Sequence, residues 1–291
     1  MRLNPWLVAA VSSVGLSSSA MAQDAAVARP QSKFTLDFTA DAWFPRLVGD
    51  VHSAGGANRN VKDLDFSDSE FAPSLQGRAS WDRWFVYANG FSFDTESNYT
   101  VTNSADSFAA SFDWWSVSAE LGYALYTPFA DQVVPWGEAS FDRYGGNVNS
   151  NGDYITDLRL SPTLGVSYND LELNDRNVTQ MTARDAQGGW IAPMFGGELQ
   201  LWLRPGSDFA FLKAIVIEAS MSGGPLFGIS GDADSSGFVY SIEAGARFMV
   251  HDNVGVHIGY RLMDGEFDTS DGRDDLAVSL QGLLIGVAIR F

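Results

Sequence analysis

The closing stretch, Gln281-Gly-Leu-Leu-Ile-Gly-Val-Ala-Ile-Arg-Phe291, limits the fold more than any other part of the chain. Counted backwards in twos, Phe291, Ile289, Val287, Ile285 and Leu283 make one apolar row, and Arg290, Ala288, Gly286, Leu284 and Gly282 make the other. A repeat of two places successive side chains on opposite faces of an extended strand. Beyond the first residues, no stretch reaches the ~18 uninterrupted apolar residues of a membrane-spanning helix. Strands of this kind bury their apolar rows against another sheet or against lipid, and in lipid a sheet must close into a barrel to satisfy its backbone.

Phe291, with Ile289 and Val287 behind it, resembles the C-terminal strand of the small proteobacterial outer-membrane β-barrel proteins, where the final aromatic belongs to the signal read by the insertion machinery. The resemblance implies an assembly route through periplasmic chaperones and the barrel-assembly machinery, and surroundings of outer-membrane lipid and lipopolysaccharide.

The other end agrees with export. Met1-Arg2-Leu3-Asn4-Pro5-Trp6, an apolar run from Leu7 to Leu16 and a Ser-rich approach to Ala20-Met21-Ala22 have the layout of a signal peptide, with cleavage expected after Ala22. The apolar run is too short to span a bilayer core of about 30 Å. Residues 23–33 read as a flexible lead-in and 34–291 as the barrel. With no Cys, the chain offers no disulfide, thiolate metal site or thiol chemistry. Its formal charge of −18 becomes −19 once Arg2 (+1) leaves with the signal, a balance that disfavours nucleic acid and anionic lipid surfaces as partners.

Alternation predicts about ten strands, within a range of eight to twelve. The first, near 34–44, sets Phe34, Leu36, Phe38, Ala40, Ala42 and Phe44 against Thr35, Asp37, Thr39, Asp41 and Trp43. Others are expected near 71–81, 84–93, 111–126, 158–168, 190–203, 211–222, 237–249, 254–263 and 277–291. In the strand at 84–93 the apolar face is read as Phe85, Tyr87, Phe91 and Phe93, shared with Asn89. Connections at 82–83, 204–209 and 251–253 are short, whereas 46–70, 94–109, 170–188, 223–236 and 264–275 read as long loops. From a periplasmic N-terminus every short turn falls on the periplasmic side and every long loop outside. Only 127–157 departs from this, and a further strand pair there would raise the count by two. A soluble β-sandwich alternates too, but gives no reason for regular short and long connections.

With apolar rows facing lipid, the polar rows face the lumen. They contribute Asp37, Asp41, Arg78, Glu120, Arg159, Glu198, Glu218, Glu243, Arg247, His257, Arg261 and Arg290. Acids and bases nearly balance, and an unpaired buried charge is costly, so a charge-paired, largely filled lumen is expected.

Three places invite chemistry. Asp50-Val51-His52 with Asp63-Leu64-Asp65 has the carboxylate and Asp-His character used by the ten-stranded omptin proteases to activate water, yet both pairs fall in one loop. His257 shares the inward row with Arg261, but Gly259 stands two places on, and no Ser motif of the outer-membrane acyl hydrolases is visible. Asp232, Asp234, Ser236 and Glu243 approach EF-hand spacing inside a strand pattern, which is a coincidence of spacing with no helices to flank it. Acidic tips, among them Asp264, Glu266, Asp268, Asp271, Asp274 and Asp275, hydrate a surface and suit divalent cations shared with lipopolysaccharide phosphates. No cofactor, metal site or catalytic residue is expected. The reading is a non-enzymatic surface or structural barrel; a narrow channel for small solutes or ions is the first alternative and a surface hydrolase the second.

Overall fold

The computed structural model describes residues 34–291, apart from 54–57, 62–65, 67–68, 82, 101–106, 126–156, 178–181, 204–210, 232, 252 and 270–273. The expected signal peptide, the lead-in, the turn at 204–209 and almost all of 127–157 therefore lie outside the described residues.

The strands are β1 (Phe34–Ser53), β2 (Asn58–Asn60), β3 (Ala72–Trp81), β4 (Trp84–Thr100), β5 (Ser107–Tyr123), β6 (Asp157–Asn177), β7 (Thr182–Leu203), β8 (Ala214–Pro225), β9 (Phe227–Gly231), β10 (Ala233–Met249), β11 (Val254–Thr269) and β12 (Asp274–Arg290). All pairings are antiparallel; β1 pairs with β3 past the short β2 and β8 with β10 past β9, the other walls pair with their neighbours in sequence, and β12 returns to β1 to close the sheet. β2 only folds back on β1, and β9 continues the line of β8 along β7, so the barrel has ten walls. The closing seam runs from Asp37 opposite Arg290 to Ser53 opposite Asp274. At its base Leu36 and Phe291 exchange both backbone hydrogen bonds, of 3.1 and 2.8 Å, so the last residue completes the closure.

The outward rows form an apolar belt. On β12 it runs from Leu283 to Phe291, which at about 3.3 Å per residue and a tilt near 40° is roughly 20–23 Å tall, close to a bilayer's apolar band. Its members stay exposed in the absence of lipid, among them Leu164, Phe195, Ile217, Ile258 and Ile285. Above it the outward residues turn acidic at one level: Asp94 on β4, Asp113 on β5, Asp170 and Glu172 on β6, and Asp264 and Glu266 on β11. That change marks the upper edge of the lipid zone.

The strands do not stop there. The stretches expected as long loops are in large part extended hairpins that carry the walls beyond the lipid. β1 continues to Ser53, β4 to Thr100, β6 to Asn177 and β11 to Thr269. Polar outward residues mimic loop composition, but their inward neighbours are apolar and supply a core. In this region Asp94, Asp113 and Glu172 are successive cross-strand partners. Burial, then Glu172, Asp94 and Glu96, push the Asp113 carboxyl up to about 6.

One face differs from the sequence expectation. On β4 it is Phe85, Tyr87, Asn89, Phe91 and Phe93 that point into the barrel, while Trp84, Val86 and Ala88 point out. The physical reason is the hairpin: only two residues separate β3 from β4, Trp81 and Trp84 are partners, and cross-strand partners share a face. With Trp81 outward, Trp84 must be outward as well.

Candidate functional site in the barrel lumen

The lumen has two storeys. In the lower one, near the chain ends and short turns, the inward positions carry the charges. Register brings several together at once: Arg290 faces Asp37 across the closing seam, and Arg261 faces Glu243 across β10 and β11. Arg290 donates to both Asp37 oxygens, one at 2.7 Å from Nη2, and Arg261 Nε donates to Glu243 Oε2 at 2.7 Å. Asp41 on β1 and His257 on β11 both face Gly286 on the strand between them. A Cβ at Gly286 would lie 2.2 Å from Asp41 Oδ1, so only glycine lets the carboxylate reach across β12 to His257 Nδ1, 2.7 Å away.

Other contacts join adjacent or facing walls. Arg78 on β3 pairs with Glu198 on β7 and stacks 3.7 Å over the Phe85 ring. Gln76 donates to Glu243 at 2.9 Å and Asp41 at 3.3 Å, and Arg261 Nη1 to Ser74 at 2.9 Å. Arg247 donates to Glu218 at 2.5 Å. Glu120 on β5 accepts from Ser222 on β8 at 2.8 Å. Arg159 lies on the inward row of β6 opposite Gln200. Charge-assisted bonds of this kind are strong and leave little freedom to either partner. Between them is a cavity of about 60 Å³ bordered by Tyr87, Asn89, Glu120, Thr163, Ser220 and Arg247.

The upper storey is apolar. Trp43, Leu47, Phe91, Phe93, Phe112, Trp114, Leu171, Trp190, Met194, Leu226, Phe267, Leu276 and Leu280 form one buried cluster, with Val61 and Phe66 from the segment after β2. Its centre is a line of edge-on rings: Trp43 to Phe91 at 5.1 Å, Phe91 to Trp114 at 5.8 Å, Trp114 to Phe267 at 5.3 Å, and Phe267 to Trp190 at 5.2 Å. These rings come from β1, β4, β5, β11 and β7, so the line crosses the lumen and closes it. Edge-to-face pairs add about 0.5–1.5 kcal/mol each beyond burial. The storeys meet where Arg261 lies 5.4 Å from the Trp43 ring.

The inward rows thus gather the lumen residues read from sequence, and Phe291, Ile289 and Val287 sit on the outward row of β12. The aromatic line was not foreseen. Its signal was present in the even-odd continuity of β5 and β11, where Phe112, Trp114 and Phe267 continue rows that include Glu120 and Arg261.

The other proposed sites separate. Asp50 accepts from Asn60 at 3.0 Å in the β1 and β2 pairing, His52 is opposite Asp275 and Asn58, and Asp63 and Asp65 lie outside the described residues. Glu243 is held in the lumen by Arg261 and Gln76, whereas Asp232 lies outside the described residues. Among the described residues no group of three or more His, Asp or Glu side chains is placed to hold a metal ion.

A closed antiparallel sheet with a lipid-height apolar belt outside and a filled interior defines the class: a transmembrane β-barrel of the outer-membrane type. No family model and no curated protein matches the sequence. Solved structures with a similar fold include the outer-membrane protease OmpT of Escherichia coli, at 10% identity over 92% of this chain and 99% of that one, TM-score 0.44. The attachment invasion locus protein Ail of Yersinia pestis, solved with a heparin analogue, is 10% identical over 88% and 99%, TM-score 0.36. Neisserial surface protein A is 12% identical over 89% and 98%, TM-score 0.31.

Proposed function

We propose that this chain is exported, loses residues 1–22, and serves in the outer membrane as a closed, non-enzymatic barrel with a surface or structural role. The observation that carries the reading is the ring line from Trp43 to Trp190, packed directly above a lumen whose charges are tied to one another. A solute path would have to displace large buried rings and separate buried ion pairs, each step costing several kcal/mol. Catalysis is disfavoured on the same ground. Asp41 and His257 form a couple suited to orienting a general base, but the His257 side chain is 0% exposed.

In this reading the short turn at 251–253 faces the periplasm and the extended hairpins face outward. Outer-membrane lipid and lipopolysaccharide surround the belt, divalent cations accompany the acidic rim, and the barrel-assembly machinery and periplasmic chaperones deliver the chain. Membrane fractionation with a solute-uptake assay in reconstituted vesicles tests it. The expected result is heat-modifiable protein in the outer-membrane fraction and uptake equal to protein-free vesicles. Small-sugar uptake that scales with protein content overturns the closed-lumen reading.

A further inference from the structure

One part of the wall lacks the hydrogen bonding that lipid demands. The ladder between β7 and β8 ends at Phe195 opposite Gly223, and the next pair on the same register is Ile191 opposite Phe227 of β9. Between them Pro193 stands opposite Pro225. Leu226 donates its backbone N–H to Gly237 on β10. Successive residues direct their backbone groups to alternate sides, so those of Pro225 point at β7. Neither proline has an N–H, so two cross-strand hydrogen bonds are missing from one rung.

The wall above that rung is also weak. β9 meets β7 through four pairs with a register shift between Gly189 and Trp190, and among the described residues no ladder pair joins β9 to β10. Phe227, Ile229, Ser230 and Gly231 of β9 are exposed. Yet Phe227 and Ile229 continue the lipid-facing row of β8, at the loop end of the belt. Directly behind the seam are Ala192, Met194, Gly224 and Leu226, all buried, with Trp190 of the ring line next along the inward row of β7. Hydrocarbon outside, a rung without donors, and an apolar interior just inside therefore coincide at one place.

We propose that the seam between β7 and the β8 to β9 line is a lateral passage through the barrel wall, through which the acyl chain of an outer-leaflet lipid enters the apolar upper lumen. The leaflet follows from the orientation proposed above; the passage itself does not. Leu226 and Met194 swing aside as β9 moves outward, and the chain takes their place in the buried apolar cluster, beneath Trp190 on β7.

The test uses the full protein in phospholipid vesicles containing a fatty acid with a diazirine at its chain end, irradiated and mapped by peptide mass spectrometry. Adducts are expected on inward residues, Met194, Leu226 or Val239. Ile191→Cys with Phe227→Cys places two cysteines on opposed residues of a chain that has no other, within disulfide reach. Oxidising this pair should lower inward labelling by at least about fivefold, an effect of ~1 kcal/mol on access, and reduction should restore it. Pro193→Val with Pro225→Val, which returns both donors, should lower it too and serves if the disulfide does not form. Adducts confined to outward residues such as Phe195 and Ile229, or inward adducts indifferent to both variants, overturn the proposal. Failure of the outer-membrane assignment would show in fractionation and leave the adduct pattern unchanged.

Discussion

The lower storey of the lumen keeps one cavity of about 60 Å³ and the upper is a continuous buried cluster, and the two are held by different physics. Below, Asp37 with Arg290, Asp41 with His257, Glu198 with Arg78, Glu218 with Arg247 and Glu243 with Arg261 are held by direction and charge. Above, Trp43, Phe91, Trp114, Phe267 and Trp190 are held by shape and exclusion of water. Removing one partner below leaves a charge with nowhere to go, whereas removing a ring above leaves a hole. The lower storey should therefore be brittle to single changes and tolerant of matched double ones. The upper should respond in proportion to the volume removed.

The largest effects test that contrast directly. Glu243→Ala strands Arg261, which is 1% exposed, and should cost about 3–5 kcal/mol in urea unfolding from bilayers. Glu243→Met combined with Arg261→Met should recover most of that loss; a double variant as unstable as the single would break the account of the lower storey. Trp114→Ala should cost about 3–5 kcal/mol with no double variant able to rescue it by charge, and Trp114→Phe clearly less. Equal losses for the two Trp114 variants would contradict shape filling. Gly286→Ala forces a methyl between Asp41 and His257 and should cost about 1–3 kcal/mol, with loss of the His257 Nδ1 hydrogen-bonded proton signal in NMR.

The smallest effect lies outside the lumen. Asp113 has a folded-state pKa of about 6 against an ordinary 3.8, so the folded form binds its proton more readily than the unfolded form does. The cost of burying its charge, together with repulsion by Glu172 and Asp94, is fully present above pH 6, fades as pH falls, and is gone below about 3.8. Asp113→Asn should therefore stabilise the protein slightly at pH 7.5 and not at pH 3.5. A stabilisation equal at both would show that charge is not its cause.

Much of this was legible in the sequence, because a period of two records each residue's face without reference to the rest of the fold. The outward row from Leu283 to Phe291 and the inward run of His257 and Arg261 could be read directly. Which charges meet was not legible, since Arg78 with Glu198 and Gln76 with Glu243 depend on how far apart the walls stand across a closed barrel. The hairpins beyond the lipid were hidden because their outward faces, such as Asp94, Glu96 and Asp113, have the composition of loops. The aromatic line is obscured by the mixed face of β4, where Asn89 stands among Phe85, Phe91 and Phe93. On β4, Phe91 and Phe93 were assigned to lipid because apolar residues in a barrel usually face it, although the two-residue turn after Trp81 already fixed their face inward.

The central claim is that the rings seal a lumen otherwise tied up in ion pairs. Planar-bilayer recording of the purified protein tests it most directly, with Phe91→Ala, Trp114→Ala and Phe267→Ala combined as the opened counterpart. The account predicts no single-channel steps from the native chain above protein-free controls, and discrete steps once the three rings are cut back. Reproducible steps from the native protein, of the same size as those from the triple variant, would contradict it.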